Sequence, residues 1–576
     1  MPADEAPAWW PWVIGAVYFT PGAVLGGLIG WVIADPINAA LRKFFKLFNA
    51  GFDRLVNGYG RVVGGLLRIS GIALAAYGGL LAVTYWQFNR TPTGFVPQQD
   101  KGYLLLNVQL PDSASVERTG RMMARIEKVA HDTPGVEHTV GVAGQSLILN
   151  ANAPNLASMY VILKPFDERR SSALSANAIA SDLQQRCAAQ VRGAIVTTFG
   201  APPIDGLGTT GGFKMIVEDR GNEGLGQLQR YSQEIVARGN RTDGLTNLFN
   251  SSGAGTPWLF LDIDRTKCES LGVSVADLFS TLEVYFGSFY VNNFNEFGRT
   301  WQVNVQADPR FRGRVTDVLR LQVRNNLGKM IRLATLLSIR DTSGPVMIMR
   351  YNLYSSAAVT GDAARNTSSG AAVNLAERIA ADTLPHSMAY EWTDLAYLQN
   401  EAGNQAMYFF ALAVLFVFLV LAAQYESWSL PLAVILVVPM CLLCSVVGVN
   451  LARLDINIFT QIGFVVLVGL ASKNAILIVE FAKEQHESGV PRREATLHAS
   501  RLRLRPILMT SFAFILGVVP LVLASGAGAE MRQTLGIAVF AGMLGVTLFG
   551  VFLTPIFFYS IQYLKDRRRP KPTASR

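Results

Sequence analysis

Apolar runs of membrane-crossing length stand at both ends of the chain, with a long polar block between them. A bilayer core takes about 20 apolar residues per helix. Residues 69–89, 406–425, 427–452, 506–529 and 534–564 carry no charge, and 456–480 carries only Lys473 before Glu480. That predicts six spans. A seventh candidate, 8–34, is apolar but interrupted by Pro11 and Pro21.

Residues 35–60 follow another pattern. Asp35-Pro36 reads as a helix start, a capping acid before a first-turn proline. Ile37, Leu41, Phe44, Phe45, Phe48, Phe52 and Leu55 then recur at helical spacing, opposite Arg42, Lys43, Lys46 and Arg54. Such a helix is expected to lie along the membrane surface.

The polar block, 90–405, alternates strand and helix patterns. Strands are expected at 102–110, 158–163 and 195–199, with helices at 116–130 and 174–191. The order repeats: strands at 214–217 and 258–263, a helix at 225–237, then after an insertion a helix at 373–381 and a strand at 388–393. Strand–helix–strand order of this kind predicts split βαβ units with helices on one sheet face. The predicted fold class is therefore an α+β membrane protein.

Composition sharpens this picture. Half of the 576 residues are hydrophobic and 16% are charged, against about 25% charged in ordinary soluble chains. The net charge is +9. Its basic clusters flank apolar runs: Arg42 to Arg61, Arg492 to Arg505, and Lys565 to Lys571. All three fall on one side if the spans alternate, which assigns them to the cytoplasm and the block 90–405 to the far side. Nucleic-acid binding is disfavoured by that placement. The five histidines have no metal-ligand spacing, and no nucleophile elbow or phosphate loop points to an enzyme. Cys187 and Cys268 are left open as a pair, and Cys441 and Cys444 lie in an apolar run.

Lys473 is the sharpest chemical signal. It stands sixteen residues after Asn457, roughly 24 Å along a helix. An ammonium at such depth is costly and usually faces a bundle interior and an acid; the alternative is a lysine that snorkels to the cytoplasmic interface. Gly469, Ala471, Ser472 and Asn474 around it suit close helix packing. Asp455 and Glu480 lie near the span's two ends, so no acid of this chain matches its depth. Arg503, Arg505 and Pro506 precede Thr510 and Ser511, whose hydroxyls either carry protons toward Lys473 or bond back to their own helix.

The runs GLASKNAILIVEFAKE and RLRLRPILMTSFAFILGVVPL resemble the resistance-nodulation-division transporters, in their hydrophobe/amphiphile (multidrug) efflux branch. LAAQYESWSLPLAVILVVP, RTPTGFVPQQDKGYLLLNVQLP and DIDRTKCESLGVSVADL resemble the same branch. The resemblance runs from about 35 to 565 and implies the C-terminal half of a permease. It implies an apolar segment at 1–34, a surface helix at 35–65, a span at 66–89 and a porter subdomain at 90–205. It further implies a second, split porter subdomain at 206–254 and 345–395, both porter parts ferredoxin-like. A docking subdomain at 255–344, five spans in 396–565 and a basic tail at 566–576 complete the expected layout.

By the same resemblance, Lys473, Asn474, Arg503 and Thr510 match proton-relay positions. The family's relay aspartates belong to a span of the N-terminal half. Residues 141–156 correspond to a glycine-rich switch loop, so Leu147, Leu149 and Phe199 are the implied substrate-binding residues, with ordinary core as the alternative for Phe199. The implied activity is secondary transport by proton antiport: no cofactor or metal, only the proton motive force. The implied setting is the inner membrane, as a homotrimer with the N-terminal half of the permease, a periplasmic adaptor and an outer-membrane channel. The alternative is a truncated or non-transporting scaffold that docks those partners.

Overall fold

The computed structural model describes residues 10–568 apart from 251, 252, 254, 365, 366, 403 and 404. The tail expected at 566–576 therefore lies outside the described residues from 569 onward. The chain divides into two compact units, an apolar helical one (1–95, 403–524 and 530–576) and a mixed one (96–402 with 525–529). It is thus a mixed helix-and-strand protein with several long apolar helices.

The helical unit opens with α1 (Trp10–Arg68), 59 residues without a break. The sequence pattern predicted a break near Pro21 and a fresh start at Asp35-Pro36; neither occurs. Pro11 falls in the first turn, where no backbone donor is needed. Pro21 and Pro36 each remove one helical hydrogen bond, and the helix continues through both. Then α2 (Ser70–Arg90) turns off sharply, Asn38–Arg68 and Ser70–Arg90 being bent by 92°.

The mixed unit begins with β1 (Tyr103–Gln109), α3 (Val116–His131), β2 (Val136–Ser146), β3 (Ala151–Leu163), α4 (Ala176–Gln190) and β4 (Ile195–Gly200). The strands form an antiparallel sheet in the order β2-β3-β1-β4. Ser115 caps α3 by accepting from the Arg118 amide at 3.3 Å. Met122, Met123, Ile126 and Ala130 of α3 join Ile179, Leu183 and Cys187 of α4 in the core over that sheet. Residues 141–156, expected as a loop, are mostly hairpin: β2 runs to Ser146, β3 starts at Ala151, and only 147–150 turn. Its glycines do other work. A Cβ on Gly141 would sit 2.9 Å from the Met123 methyl, so the glycine lets α3 approach β2, and Gly144 takes φ +88° where the register shifts.

Next come β5 (Phe213–Asp219), α5 (Leu225–Gly239), β6 (Leu245–Asn250) and β7 (Thr256–Ile263). The strand expected at 258–263 is present as β7, but it does not belong to the repeated unit's sheet. It pairs only with β12 (Leu337–Gly344), as a two-stranded stem. Between them lie α6 (Arg265–Ser270), α7 (Val275–Leu282), the ribbon β8 (Phe289–Glu296) and β9 (Arg299–Val305), α8 (Val315–Arg320), β10 (Gln322–Arg324), β11 (Met330–Arg332) and α9 (Leu333–Leu336). Cys268 is buried in this segment's own core and Cys187 in the first sheet's core; both are free.

The second sheet is completed by β13 (Met349–Tyr351), β14 (Tyr354–Ala363) and β15 (Met388–Thr393), with α10 (Ser369–Thr383) over it and α11 (Asp394–Ala402) following. Its order is β13-β14-β5-β15, with β6 also pairing β14.

The helical unit resumes with α12 (Gln405–Tyr425), α13 (Leu430–Ile435), α14 (Val438–Leu451), α15 (Ile458–Glu487), α16 (Arg492–Val522), α17 (Ala529–Gly545) and α18 (Val551–Arg568). The run 427–452, expected as one helix, is broken between α13 and α14. Pro439 in the first turn of α14 supplies no amide to the turn before it. Among the described residues, five stretches are long and apolar enough to cross a membrane: 408–425, 430–451, 458–487, 492–522 and 529–567. The bent α1–α2 pair reaches that apolarity only when taken together.

Candidate functional site

Helix α15 carries the signal residue, and its start is fixed by Asn457. That side chain accepts from the Phe459 amide at 3.0 Å and the Thr460 amide at 3.2 Å. From there the helix has two faces. Gly463, Phe464, Leu467, Val468, Ala471, Asn474, Ala475 and Ile478 are buried in the bundle. Ile462, Val465, Val466, Gly469, Lys473 and Glu480 form an open stripe at three- and four-residue spacing. No heavy atom lies within 4 Å of a Cβ built on Gly469.

Lys473 is on that open stripe. Among the described residues it has no hydrogen bond and no ion pair. Asn474, one residue on, points the other way and donates to Ser511 Oγ of α16 at 3.0 Å, inside the bundle. Thr510 is half-buried, and its hydroxyl donates to the Ile507 carbonyl at 3.0 Å, the back-bonding that a helical threonine favours. Arg503 is half-buried, with its guanidinium 4.8 Å from the centre of the Phe481 ring of α15. Its Nε is buried without a hydrogen-bond partner. The structure thus joins Asn474 to α16 and Arg503 to α15. No described hydrogen bond or ion pair links Lys473, Arg503 and Thr510 to one another. The Arg503–Phe481 stack was missed in the sequence, because twenty-two residues and a helix turn separate the two.

The three implied substrate residues do meet. Leu105 of β1 and Phe199 of β4 are directly paired in register. They form a small core with Ile148 of the hairpin tip, and Leu147 and Leu149 pack against it half-buried. Phe199 is fully buried, so it floors the tip and opens onto no cleft. Polar fasteners hold the tip down: Ser146 Oγ donates to Asn107 Oδ1 at 3.0 Å, and the Leu147 amide donates to Ser158 Oγ at 2.9 Å. Of the three, Leu149 alone lines the neighbouring open cleft, together with Gln109, Asp112, Asn155, Met347 and Met349. The wall is mainly apolar with a few convergent polar groups, the usual make-up of a small-molecule site.

The sequence profile of the AcrB/AcrD/AcrF family matches residues 13–562. The chain belongs to that family. Across 561 residues it is 37% identical to the toluene efflux pump membrane transporter TtgB of Pseudomonas putida, an overlap of 97% of this chain and 53% of that one. It is 37% identical to the multidrug export protein AcrF of Escherichia coli over 527 residues, 90% of this chain and 50% of that one. The Escherichia coli multidrug resistance protein MdtF is 34% identical over 529 residues, 91% and 50%. The chain therefore spans about half the length of these relatives. Family membership makes it a multi-pass membrane protein related to efflux transporters.

Proposed function

We propose that this chain acts as the C-terminal half of a proton-driven efflux permease that expels hydrophobic or amphiphilic compounds. One observation carries the reading: Lys473 stands unpartnered on an open stripe of α15, well inside an apolar helix. Lipid is a poor neighbour for that ammonium, whose burial there costs a few kcal/mol unless an acid meets it. The described residues bring it no acid. The acid then comes from a helix packed on the stripe, where Gly469 allows close approach. We assign that helix to the half of the relatives' length that this sequence does not cover.

The coupling follows from charge. An ionised carboxylate pairs with Lys473; once protonated, it releases the lysine, and the two helix arrangements exchange. Asn474 transmits the movement to α16 through Ser511. Arg503 and Thr510, on α16, complete the relay, with the unpaired Arg503 Nε as the donor still free to take a partner. Substrate passes the cleft beside the hairpin tip, where Leu149 and the two methionines take the apolar part and Asp112 or Gln109 the polar part. Leu147 and Phe199 act by holding the tip in place. The relatives' names, which speak of toluene and multidrug efflux, support this substrate class. The assembly is a homotrimer in the inner membrane, with a periplasmic adaptor and an outer-membrane channel. The elements between Val96 and Ala402 then serve as two porter subdomains and a docking insertion.

A zero-length amine–carboxyl cross-linker tests the pairing. With the chain co-expressed beside the other half of a relative, the expected product joins Lys473 to an acid of that half and disappears in Lys473→Met. A cross-link pattern identical in the two proteins would remove the pairing and leave a docking scaffold.

A further inference from the structure

Helix α1 is anchored in the bundle by Tyr59, Val63 and Leu67, which pack with Leu504 and Ile507 of α16 and Val551 and Ile556 of α18. Tyr59 also donates its hydroxyl to the Val551 carbonyl at 2.8 Å. This docking lays α1 antiparallel to the basic end of α16. Arg493 Nη2 donates to the Gly64 carbonyl at 3.3 Å. The Arg501 guanidinium lies directly over Gly60, where any side chain would collide with it. Arg505 Nη2 donates to Asn49 Oδ1 at 3.2 Å, and its guanidinium lies 5.6 Å from the Phe52 ring centre. Three guanidiniums are thus set in a row along one seam.

None of the three has an ion pair among the described residues, and all three are exposed. A guanidinium carries five donors. Arg493 and Arg505 each use one in these contacts, so most of the row's donors remain available. Residues 36–68 add six further cations and one acid, Asp53, and α16 adds Glu494 beside Arg493, so cations outnumber acids along the seam. Phe44, Phe48 and Phe52 stack beside it along α1, with ring centres 6.3 and 6.2 Å apart. Phe44 and Phe48 remain about half exposed, with values of 59% and 49%. Pro506, where the apolar run of α16 begins, directly follows Arg505.

We infer that the α1–α16 seam seats the phosphate of an anionic membrane phospholipid between Arg501 and Arg505, one turn apart on α16, with Arg493 adding positive charge about two turns further along. The acyl chains lie against the Phe44–Phe48–Phe52 stack. Arginine matches phosphate oxygens with paired N–H groups, and basic pockets between membrane helices take anionic headgroups. Aromatic rings at that level suit the headgroup–acyl boundary. The seam sets the two chemistries side by side, with Arg505 against Phe52, which a solvated basic face does not require.

Lipid-exchange experiments on the detergent-solubilised full chain, read by native mass spectrometry, test this site. The unaltered chain is expected to retain phosphatidylglycerol in preference to phosphatidylcholine, and to lose that preference as ionic strength rises. Arg501→Gln with Arg505→Gln is expected to weaken phosphatidylglycerol retention by about thirtyfold and to leave phosphatidylcholine retention unchanged. Arg501→Lys with Arg505→Lys is expected to fall between, since the charge stays and the paired donors go. Equal retention of the two lipids by the unaltered chain would overturn the inference without recourse to any variant. So would stabilisation of the chain against heat by inorganic phosphate to the same extent as by phosphatidylglycerol, which would make the seam a site for free anions.

Discussion

Asp362 stands in β14, 7% exposed, with one carboxyl oxygen lacking any hydrogen-bond partner. Burial pushes its pKa up to about 7, against a smaller opposing effect of the Asn247 side chain. In the unfolded chain this acid ionises near 3.8. Between those values the unfolded state releases a proton that the folded state keeps, so stability falls as pH rises and levels off above the folded value. The full penalty is on the order of 4 kcal/mol. Asp362→Asn removes the ionisation. The variant is expected to melt higher than the unaltered protein at about pH 8, and the gap to close at about pH 4. A melting-point gap independent of pH would contradict the burial argument. Arg169 and Asp100 show the opposite solution for a buried charge. Two N–H···O bonds of 2.9 and 3.1 Å join them, and the Gly102 and Ala176 amides also donate to the carboxylate. These bonds outweigh burial and hold the Asp100 pKa below the ordinary carboxylate value. Lys473 belongs to this scale too. Its depth could be read from the sequence, as could the small residues around it. Its outward direction could not, because that depends on which face of α15 the other helices cover.

Among the helices, close approach is set by small side chains. Ser445 of α14 donates to the Ala538 carbonyl of α17 at 2.7 Å, and Gly448, one turn on, leaves no room for a Cβ against Ala541. Gly448→Leu is therefore expected to force α14 and α17 apart, at about 1–3 kcal/mol. Denaturant titration of the purified chain in mild detergent would show the loss; an unchanged midpoint would mean that the helices yield freely there. Elements with a strong period were legible: α3, with its apolar stripe and Ser115 cap, begins at the expected residue. In the hairpin β2–β3 only 158–163 was foreseen as a strand; Gly141, Gly144 and Pro154 made the rest read as loop, and the bulge at Gly144 is what reconciles it with a strand. Nor were β6 and β14 foreseen. Asn247 takes φ +55° inside β6, and β14 shifts register between Thr360 and Asp362. β14 is built largely of small residues and is buried by the sheet around it, so its own pattern carries little signal. The long helix α1 was divided in the sequence reading by prolines that the fold tolerates.

At the scale of the molecule, the division into an apolar helical unit and a mixed one was visible in the distribution of charge, which is sparse in the membrane-length runs and dense between 90 and 405. The assignment of β7 was not. A strand of ordinary composition pairs with a partner more than seventy residues away, and nothing local distinguishes a stem from a sheet member. The site proposed as a relay was legible only in part for a related reason. Its residues lie on two helices of this chain, and the acid proposed to complete them is assigned to a helix beyond this sequence. Proton flux through reconstituted vesicles tests that account most directly. With the chain assembled beside a relative's other half under an imposed pH gradient, the unaltered protein is expected to move protons when a hydrophobic substrate is added. Lys473→Met is expected to insert and assemble normally and to abolish the substrate-dependent flux. Equal substrate-dependent flux from the two proteins would contradict the coupling role assigned to Lys473.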